Sequence, residues 1–282
     1  MRIDQLLVER GLAASRSQAQ RLIAGGVQWQ QPDGTWRAVV KNRDDVPEGA
    51  ALELLDDAES RYVSRGGLKL EGALKATGVQ VKGLRCLDVG QSTGGFTDCL
   101  LQHGAAEVVG IDVGHAQVHP RIREDERVVC IEGVNARELE PGDERIPDAL
   151  EGFDLMVGDV SFISLTLVLP GVVHLLKPTG QLLMLVKPQF ELQPGQVGKG
   201  GIVKDDTHFP FIENRVRTAL TELGMQVTAW LNSPIEGGDG NREFFVQACW
   251  PDPAAVLPAR EVTRVAHEAD LAAKAYAKAN DY

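Results

Sequence analysis

Little in the 282-residue chain points to an exported or membrane-bound protein. The amino terminus, Met1-Arg2-Ile3-Asp4-Gln5-Leu6-Leu7, has no apolar core of signal-peptide length. The longest apolar stretch, residues 165–176, is broken by Pro170, Gly171 and His174, whereas a membrane span needs roughly 20 apolar residues in a row. Paired cysteines are lacking as well. Cys86, Cys99, Cys130 and Cys249 form no C-x-x-C, and no Cys/His cluster has zinc spacing. Buried, reduced thiols are expected, in a cytoplasmic protein with no metal site and no stable membrane association. Basic charge is scarce too: 29 Lys and Arg against 40 Asp and Glu leave a net charge of −11. A uniformly acidic surface repels phosphate, which argues against nucleic acid as a partner unless the acid is segregated.

What is present is an ordinary globular composition, 43% hydrophobic and 24% charged, long enough for one large domain or two unequal ones. Residues 1–60 read as a small α+β unit. Ile3, Leu6 and Leu7 have helical spacing, and Gly11 ends the pattern. Ser15 with Gln18 forms an S-x-x-Q capping box for a second helix, with Ala19, Leu22 and Ile23 as its apolar face and Gly25-Gly26 as its stop. Short strands are expected at Val27 and Trp29, at Val39-Val40 and over 51–55, with a turn at Pro32-Asp33-Gly34. The polar residues 56–60 read as a linker. A basic stretch then leads into an amphipathic helix carrying Leu68, Leu70, Ala73 and Leu74.

From Leu84 onward strand and helix alternate. Strands are expected at 84–89, 108–111, 128–131, 153–158 and 181–186, with helices at 95–102, 164–176 and 211–223. Apolar strands alternating with helices imply a parallel sheet covered on both faces. Residues 225–230 and 243–250 read as a closing strand pair, and the Ala-rich residues 252–282 as a helical extension. The expected divisions are 1–60, 61–251 and 252–282.

A glycine loop follows the first of these strands: Asp88-Val89-Gly90-Gln91-Ser92-Thr93-Gly94-Gly95-Phe96. Glycines let backbone approach a ligand closely, and the carboxyl end of a strand is where open α/β sheets bind ligands. The spacing is neither G-x-G-x-x-G nor a Walker A loop, which weakens dinucleotide and nucleoside-triphosphate readings. Asp112 ends the next strand, where a carboxylate can accept both ribose hydroxyls of an adenosine cofactor. The loop, this acid and the later Asp159 together suggest S-adenosylmethionine. Asn135 and Ala136 follow the third strand, as adenine-edge contacts or as a simple turn.

Five stretches in order now carry a family resemblance. They are Tyr62-Val63-Ser64-Arg65-Gly66-Gly67-Leu68-Lys69-Leu70, residues 88–98, Gly158-Asp159-Val160-Ser161-Phe162-Ile163-Ser164, Leu185-Val186-Lys187-Pro188-Gln189-Phe190-Glu191, and Gly240-Asn241-Arg242-Glu243-Phe244-Phe245. The chain resembles the FtsJ-like RNA ribose methyltransferases and, more closely, the TlyA family, often labelled hemolysin A. Residues 1–60, through Arg2-Ile3-Asp4, Leu6, Ser15-Arg16-Ser17-Gln18-Ala19 and Gly26-Val27, resemble an S-four RNA-binding domain. The resemblance implies an α/β fold: a Rossmann-like methyltransferase sheet with a small N-terminal α+β RNA-binding domain. One departure is Gln91, where the family usually has alanine; its side chain either alters cofactor affinity or points to solvent.

The resemblance also implies a Lys-Asp-Lys-Glu tetrad at Lys69, Asp159, Lys187 and Glu243, and a cofactor set of Asp88, Gly90, Ser92, Thr93, Gly94, Gly95, Phe96, Asp112, Asn135 and Asp159. The residue types suit transfer of a sulfonium methyl to a ribose 2′-hydroxyl, which needs a base and no metal. A lysine serves as that base only when its pKa is lowered, as a second cation nearby would do. Lys187 is expected as base, Lys69 as its electrostatic partner, Asp159 as the group that orients it, and Glu243 as the holder of Lys69 or of the substrate hydroxyl.

The acid is segregated. Residues 124–154 hold eleven carboxylates and three arginines, whereas residues 1–26 and 61–75 are net positive. This suits an RNA track using Arg2, Arg16, Arg21, Arg65 and Lys199, with an acidic rim away from it. The glycine-rich loop 193–201 around Lys199 is either a lid, an RNA contact or a plain connection. The implied activity is 2′-O-methylation of a cytidine ribose in ribosomal RNA, of the large subunit alone or of both subunits. The rival readings are a small-molecule O-methyltransferase and a membrane-active hemolysin.

Overall fold

The computed structural model describes residues 1–13, 15–55 and 61–251. The expected linker at 56–60 and helical extension at 252–282 lie outside the described residues. The chain divides into two compact units, residues 1–68 and 69–282.

The first unit starts with α1 (Ile3–Glu9) and α2 (Arg16–Gly26). Ser15 caps α2 as its sequence pattern requires, its hydroxyl accepting the Gln18 N–H at 3.2 Å. Gly26 ends α2 with φ +111°, a conformation glycine adopts at little cost. Three short antiparallel strands follow: β1 (Val27–Gln30), β2 (Trp36–Ala38) and β3 (Leu52–Leu54), in the order β2-β1-β3. Val39-Val40, expected as strand, falls just past β2. Ile3, Leu6, Leu7, Ala19, Leu22, Ile23 and Val27 make the core of this unit.

The boundary between the units falls within α3 (Gly66–Thr77). The second unit is then built on a seven-stranded sheet. Its strands are β4 (Arg85–Val89), β5 (Glu107–Asp112), β6 (Val128–Glu132), β7 (Phe153–Gly158), β8 (Leu176–Val186), β9 (Gln226–Asn232) and β10 (Phe244–Cys249). The order is β6-β5-β4-β7-β8-β10-β9, with β4 to β8 parallel and β10 antiparallel to both β8 and β9. The helices between strands are α4 (Gly95–Gln102), α5 (Pro120–Arg123), α6 (Leu165–Val172), α7 (Pro188–Glu191) and α8 (His208–Glu222).

Helix α6 is shorter than its apolar run suggests. Pro170 lies inside it, the chain tightens into a 3-10 turn over Val173–Leu175, and β8 begins at Leu176. Apolar residues, His174 aside, continue from the helix through the turn to Leu176, so apolar character alone does not mark where helix gives way to strand. Leu87, Val109, Met156, Leu169, Leu182 and Ile212 exemplify the core of this unit, drawn from strands and from helices on the sheet. Among the described residues no helix is long and apolar enough to cross a membrane.

Candidate active site

The crossover topology puts the carboxyl ends of β4, β5 and β7 side by side, because Val89 pairs with both Ile111 and Gly158. The next residues, Gly90, Asp112 and Asp159, therefore share one sheet edge. Gly90 is left-handed, at φ +82°, and a Cβ there would lie 3.1 Å from the Asp159 carbonyl oxygen. Only glycine suits such a position. The Gly90 and Gln91 N–H groups both donate to the Ile111 carbonyl, at 2.9 and 3.1 Å. Asp112 is fixed by two backbone donors: Ser92 N–H on Oδ2 and Gly114 N–H on Oδ1, both at 2.7 Å.

Above this edge opens a cavity of about 300 Å³. Gly90, Ser92, Asp112, Asn135, Ala136 and Asp159 line it, with Val113, Val134, Ile163 and Val168 as apolar walls. A glycine cradle, a fixed carboxylate and an apolar slot fit a nucleoside-bearing ligand.

The other predicted cofactor residues build the loop instead of walling the cavity. Asp88 is fully buried and accepts the Thr97 hydroxyl at 2.7 Å. Burial pushes its carboxyl up to about 7, against the opposing pull of that hydrogen bond. The Thr93 carbonyl accepts the His119 N–H at 3.0 Å. Gly94, at φ +97°, is the left-handed residue before α4, and Gly95 opens that helix. Phe96 is buried against Phe245, with ring centroids 6.1 Å apart. Asn135 lines the cavity, but its side chain caps its own turn: Oδ1 accepts the Arg137 N–H at 3.2 Å and Nδ2 donates to Glu138 at 2.9 Å. Gln91 does not point to solvent. It is buried beneath the loop and is absent from the cavity wall.

The tetrad assembles as two ion pairs. Lys187 Nζ lies 2.5 Å from Asp159 Oδ1 and donates to the Ser161 hydroxyl at 2.7 Å. Lys69 Nζ lies 2.5 Å from Glu243 Oε2, with both side chains nearly excluded from water. Sheet register explains the convergence. Val186 on β8 pairs with Phe244 on antiparallel β10, so Lys187 and Glu243 are the next residues at the same edge. Burial raises the Glu243 pKa and the adjacent Lys69 opposes that rise; Asp159 and Lys187 also lie close enough to act on it.

Three residues of this site lie inside the motifs that carry the resemblance but receive no individual role from the sequence. Ser161 is one. Phe162 is 90% exposed yet left-handed at φ +65°, a conformation that costs a non-glycine residue roughly 1–2 kcal/mol. Its ring sits 5.2 Å from that of Phe190 and lines the cavity. Glu191 is buried and accepts the Ser164 hydroxyl and the Leu165 N–H, both at 2.6 Å. It thereby caps α6 and ties the Lys187 segment to the Asp159 segment. An aromatic three residues beyond a chemical aspartate is a signal that could have found Phe162.

The predicted RNA contacts are differently disposed. Arg2 donates to both oxygens of Asp4, at 3.0 and 2.6 Å, and Arg16 reaches the same carboxylate at 3.2 Å. Asp4 is wholly buried, and its two arginines hold its carboxyl below the usual range. Arg2 and Arg16 are therefore partly spent inside their own unit. Arg21 and Arg65 are half-buried, and Lys199 is exposed. The loop bearing Lys199 is anchored at its far end by buried Asn241, which accepts the Val203 N–H at 2.8 Å and donates to the Gly201 carbonyl at 2.9 Å.

Comparison with known proteins gives consistent matches. The family model for FtsJ-like methyltransferases matches residues 62–249, and that for the S4 domain matches residues 1–26. YqxC of Bacillus subtilis is 42% identical over 271 residues, 95% of this chain and 93% of that protein. The 16S/23S rRNA (cytidine-2′-O)-methyltransferase TlyA of Mycobacterium tuberculosis is 44% identical over 252 residues, 87% of this chain and 88% of that protein. A solved Streptococcus thermophilus structure carrying the hemolysin name superposes with a TM-score of 0.66 at 36% identity, covering 97% of this chain and 98% of its own.

Proposed function

The chain belongs to the FtsJ-like methyltransferase family, and on that premise we propose that it transfers a methyl group from S-adenosylmethionine to the 2′-hydroxyl of a cytidine in ribosomal RNA. The observation that carries this reading is the pairing of Lys187 with Asp159 and of Lys69 with Glu243 beside the cavity. The target nucleoside follows the names of the relatives, and the large subunit is the first substrate to test, with the small subunit open to the same enzyme. The RNA-holding role falls to residues 1–60 and the chemistry to residues 61–251.

Gly90, Ser92, Asp112, Asn135 and Asp159 would hold the cofactor, with the Asp112 carboxylate directed at the ribose hydroxyls. Bound there, it supplies an electrophilic methyl on a sulfonium. The chain's task is then to orient the acceptor hydroxyl and remove its proton. Lys187 takes that proton at Nζ, while Asp159 and Ser161 hold the nitrogen in place. Glu243 keeps Lys69 fixed, so that its ammonium can meet the phosphate beside the target ribose. The exposed, strained Phe162 offers a face on which an unstacked base can lie, as single-stranded RNA recognition commonly uses.

Radiolabelled methyl transfer to separate 50S and 30S subunits, followed by mapping of the modified ribose, tests the proposal. A 2′-O-methylcytidine in one or both subunits is the expected result. Transfer to a base or to protein, or none to either subunit or to their naked RNA, would overturn it.

A further inference from the structure

The cofactor loop rests on a support that belongs to this chain's own choice of side chains. Beneath the loop the Gln91 side chain fills the space over Gly110, the central residue of β5. A Cβ built on Gly110 would lie 2.0 Å from Gln91 Cδ and 2.1 Å from its Nε2, a distance real atoms do not tolerate. Gly110 has no left-handed backbone to justify glycine. A side chain at position 110 would displace the glutamine's amide end, and with it the amide's bond to Thr97.

The glutamine is also bonded into the floor. Its Nε2 donates to the Thr97 hydroxyl at 3.0 Å, and Thr97 donates in turn to Asp88 at 2.7 Å. All three side chains are buried. A chain of hydrogen bonds thus joins the end of β4, the loop and the first turn of α4. Above it the backbone continues the same connection: Gly94 N–H donates to the Gln91 carbonyl at 2.8 Å, and Ser92 N–H holds Asp112. Movement of the Gln91 side chain therefore moves the donor that aims the Asp112 carboxylate into the cavity.

We propose that Gln91 and Gly110 form a size-matched pair, with Gln91 as the positioning residue that sets the cofactor loop against Asp112. The proposal rests on the S-adenosylmethionine reading of the cavity. It predicts that a methyl added at position 110 weakens cofactor binding, and that shortening residue 91 relieves the defect.

The test is a double-mutant cycle on the full chain with Gln91→Ala, Gly110→Ala and the combined variant. Two readouts are taken: the Kd for S-adenosylmethionine by calorimetry and the Tm without ligand. Gly110→Ala is expected to weaken binding at least about tenfold. Adding Gln91→Ala to it should return the Kd to within about threefold of wild type, and should also raise the ligand-free Tm above that of Gly110→Ala. A Kd unaffected by Gly110→Ala, or a combined variant no better than Gly110→Ala, would overturn the proposal. Recovery of the Tm with no recovery of the Kd would overturn the positioning role and leave only packing. If wild type itself takes no S-adenosylmethionine, the functional reading fails, and the Tm cycle alone still decides whether the two residues are matched.

Discussion

Replacing Lys187 with alanine should separate chemistry from binding. The lysine makes two charge-assisted contacts, to Asp159 and to Ser161, and its side chain is 12% exposed. Its removal leaves Asp159 without its cation. That carboxylate keeps 24% of its side-chain surface exposed, so water can solvate it and the fold loses little. Loss of a hydrogen bond to a charged group costs on the order of 1–3 kcal/mol. Lys187 meets the cavity wall through Asp159 and Ser161, while Gly90, Ser92 and Asp112 hold their places through backbone hydrogen bonds independent of it, and an unpaired Asp159 is a better neighbour for a cation. S-adenosylmethionine should therefore bind Lys187→Ala with a Kd within about threefold of wild type, or tighter. Methyl transfer should fall by roughly 10²–10⁴, the usual contribution of a positioned base. Single-turnover transfer of labelled methyl to saturating ribosomal subunits, alongside calorimetric cofactor binding, measures both quantities. A rate within about tenfold of wild type would refute the base assignment. So would a rate loss that merely tracks a weakened cofactor Kd.

Other consequences are testable in the same preparations. Asp88, raised to about 7 by burial, keeps its proton in the folded state over a range where the unfolded chain has lost it. Its contribution therefore favours folding at low pH and is lost as pH rises from about 4 to about 7. Urea denaturation at pH 5 and pH 8 should show wild type losing on the order of 3 kcal/mol more than Asp88→Asn over that interval; a pH-independent difference between the two would contradict the buried-acid account. Glu191→Ala leaves Ser164 capping the Thr166 N–H but removes the buried acceptor of the Leu165 N–H and the Ser164 hydroxyl, and should lower stability by about 1–3 kcal/mol, whereas Glu191→Gln, which can still accept the Leu165 N–H, should recover much of it. No loss in Glu191→Ala would show that these two bonds are unimportant to stability. Arg16→Glu would set a second carboxylate beside buried Asp4, so neutral variants are the cleaner probe. Arg16→Gln with Arg21→Gln should weaken rRNA binding and flatten its salt dependence, leaving the cofactor Kd unchanged. An unaltered salt slope would remove these arginines from the RNA contact.

Much of the fold was readable because its signals are local. Capping by Ser15, the strand of residues 85–89 and the glycine loop each depend on neighbours in the chain. The ionic pairing was less so. Lys69 and Glu243 are far apart in sequence, and only their order within a familiar set of motifs connects them. Pairing partners across a sheet depend on register, which no single strand specifies. That is why Gln91 was legible as an oddity and Gly110 was not: one glycine inside an apolar strand gives no hint of the glutamine that covers it. The arginines show the reverse difficulty. Arg2 and Arg16 count as positive charge in a sequence sum, yet both converge on Asp4, whose burial the sequence does not announce.

The reversed direction of β10 has a consequence for how such an enzyme diversifies. Lys187 leaves the site at the end of β8, and Glu243 re-enters it at the start of β10, both held by one hydrogen-bonded ladder. Everything between them is an excursion that departs from and returns to the same edge. The exposed stretch on that excursion around residues 193–200 can change sequence without altering that ladder, whereas 233–240 packs on Glu243 itself, with buried Gly237 against its carboxylate and the Ser233 N–H on its carbonyl. The surface of that loop and the paired lysine and glutamate are in this way set on separable pieces of the chain, so that one can vary while the ladder holds the other.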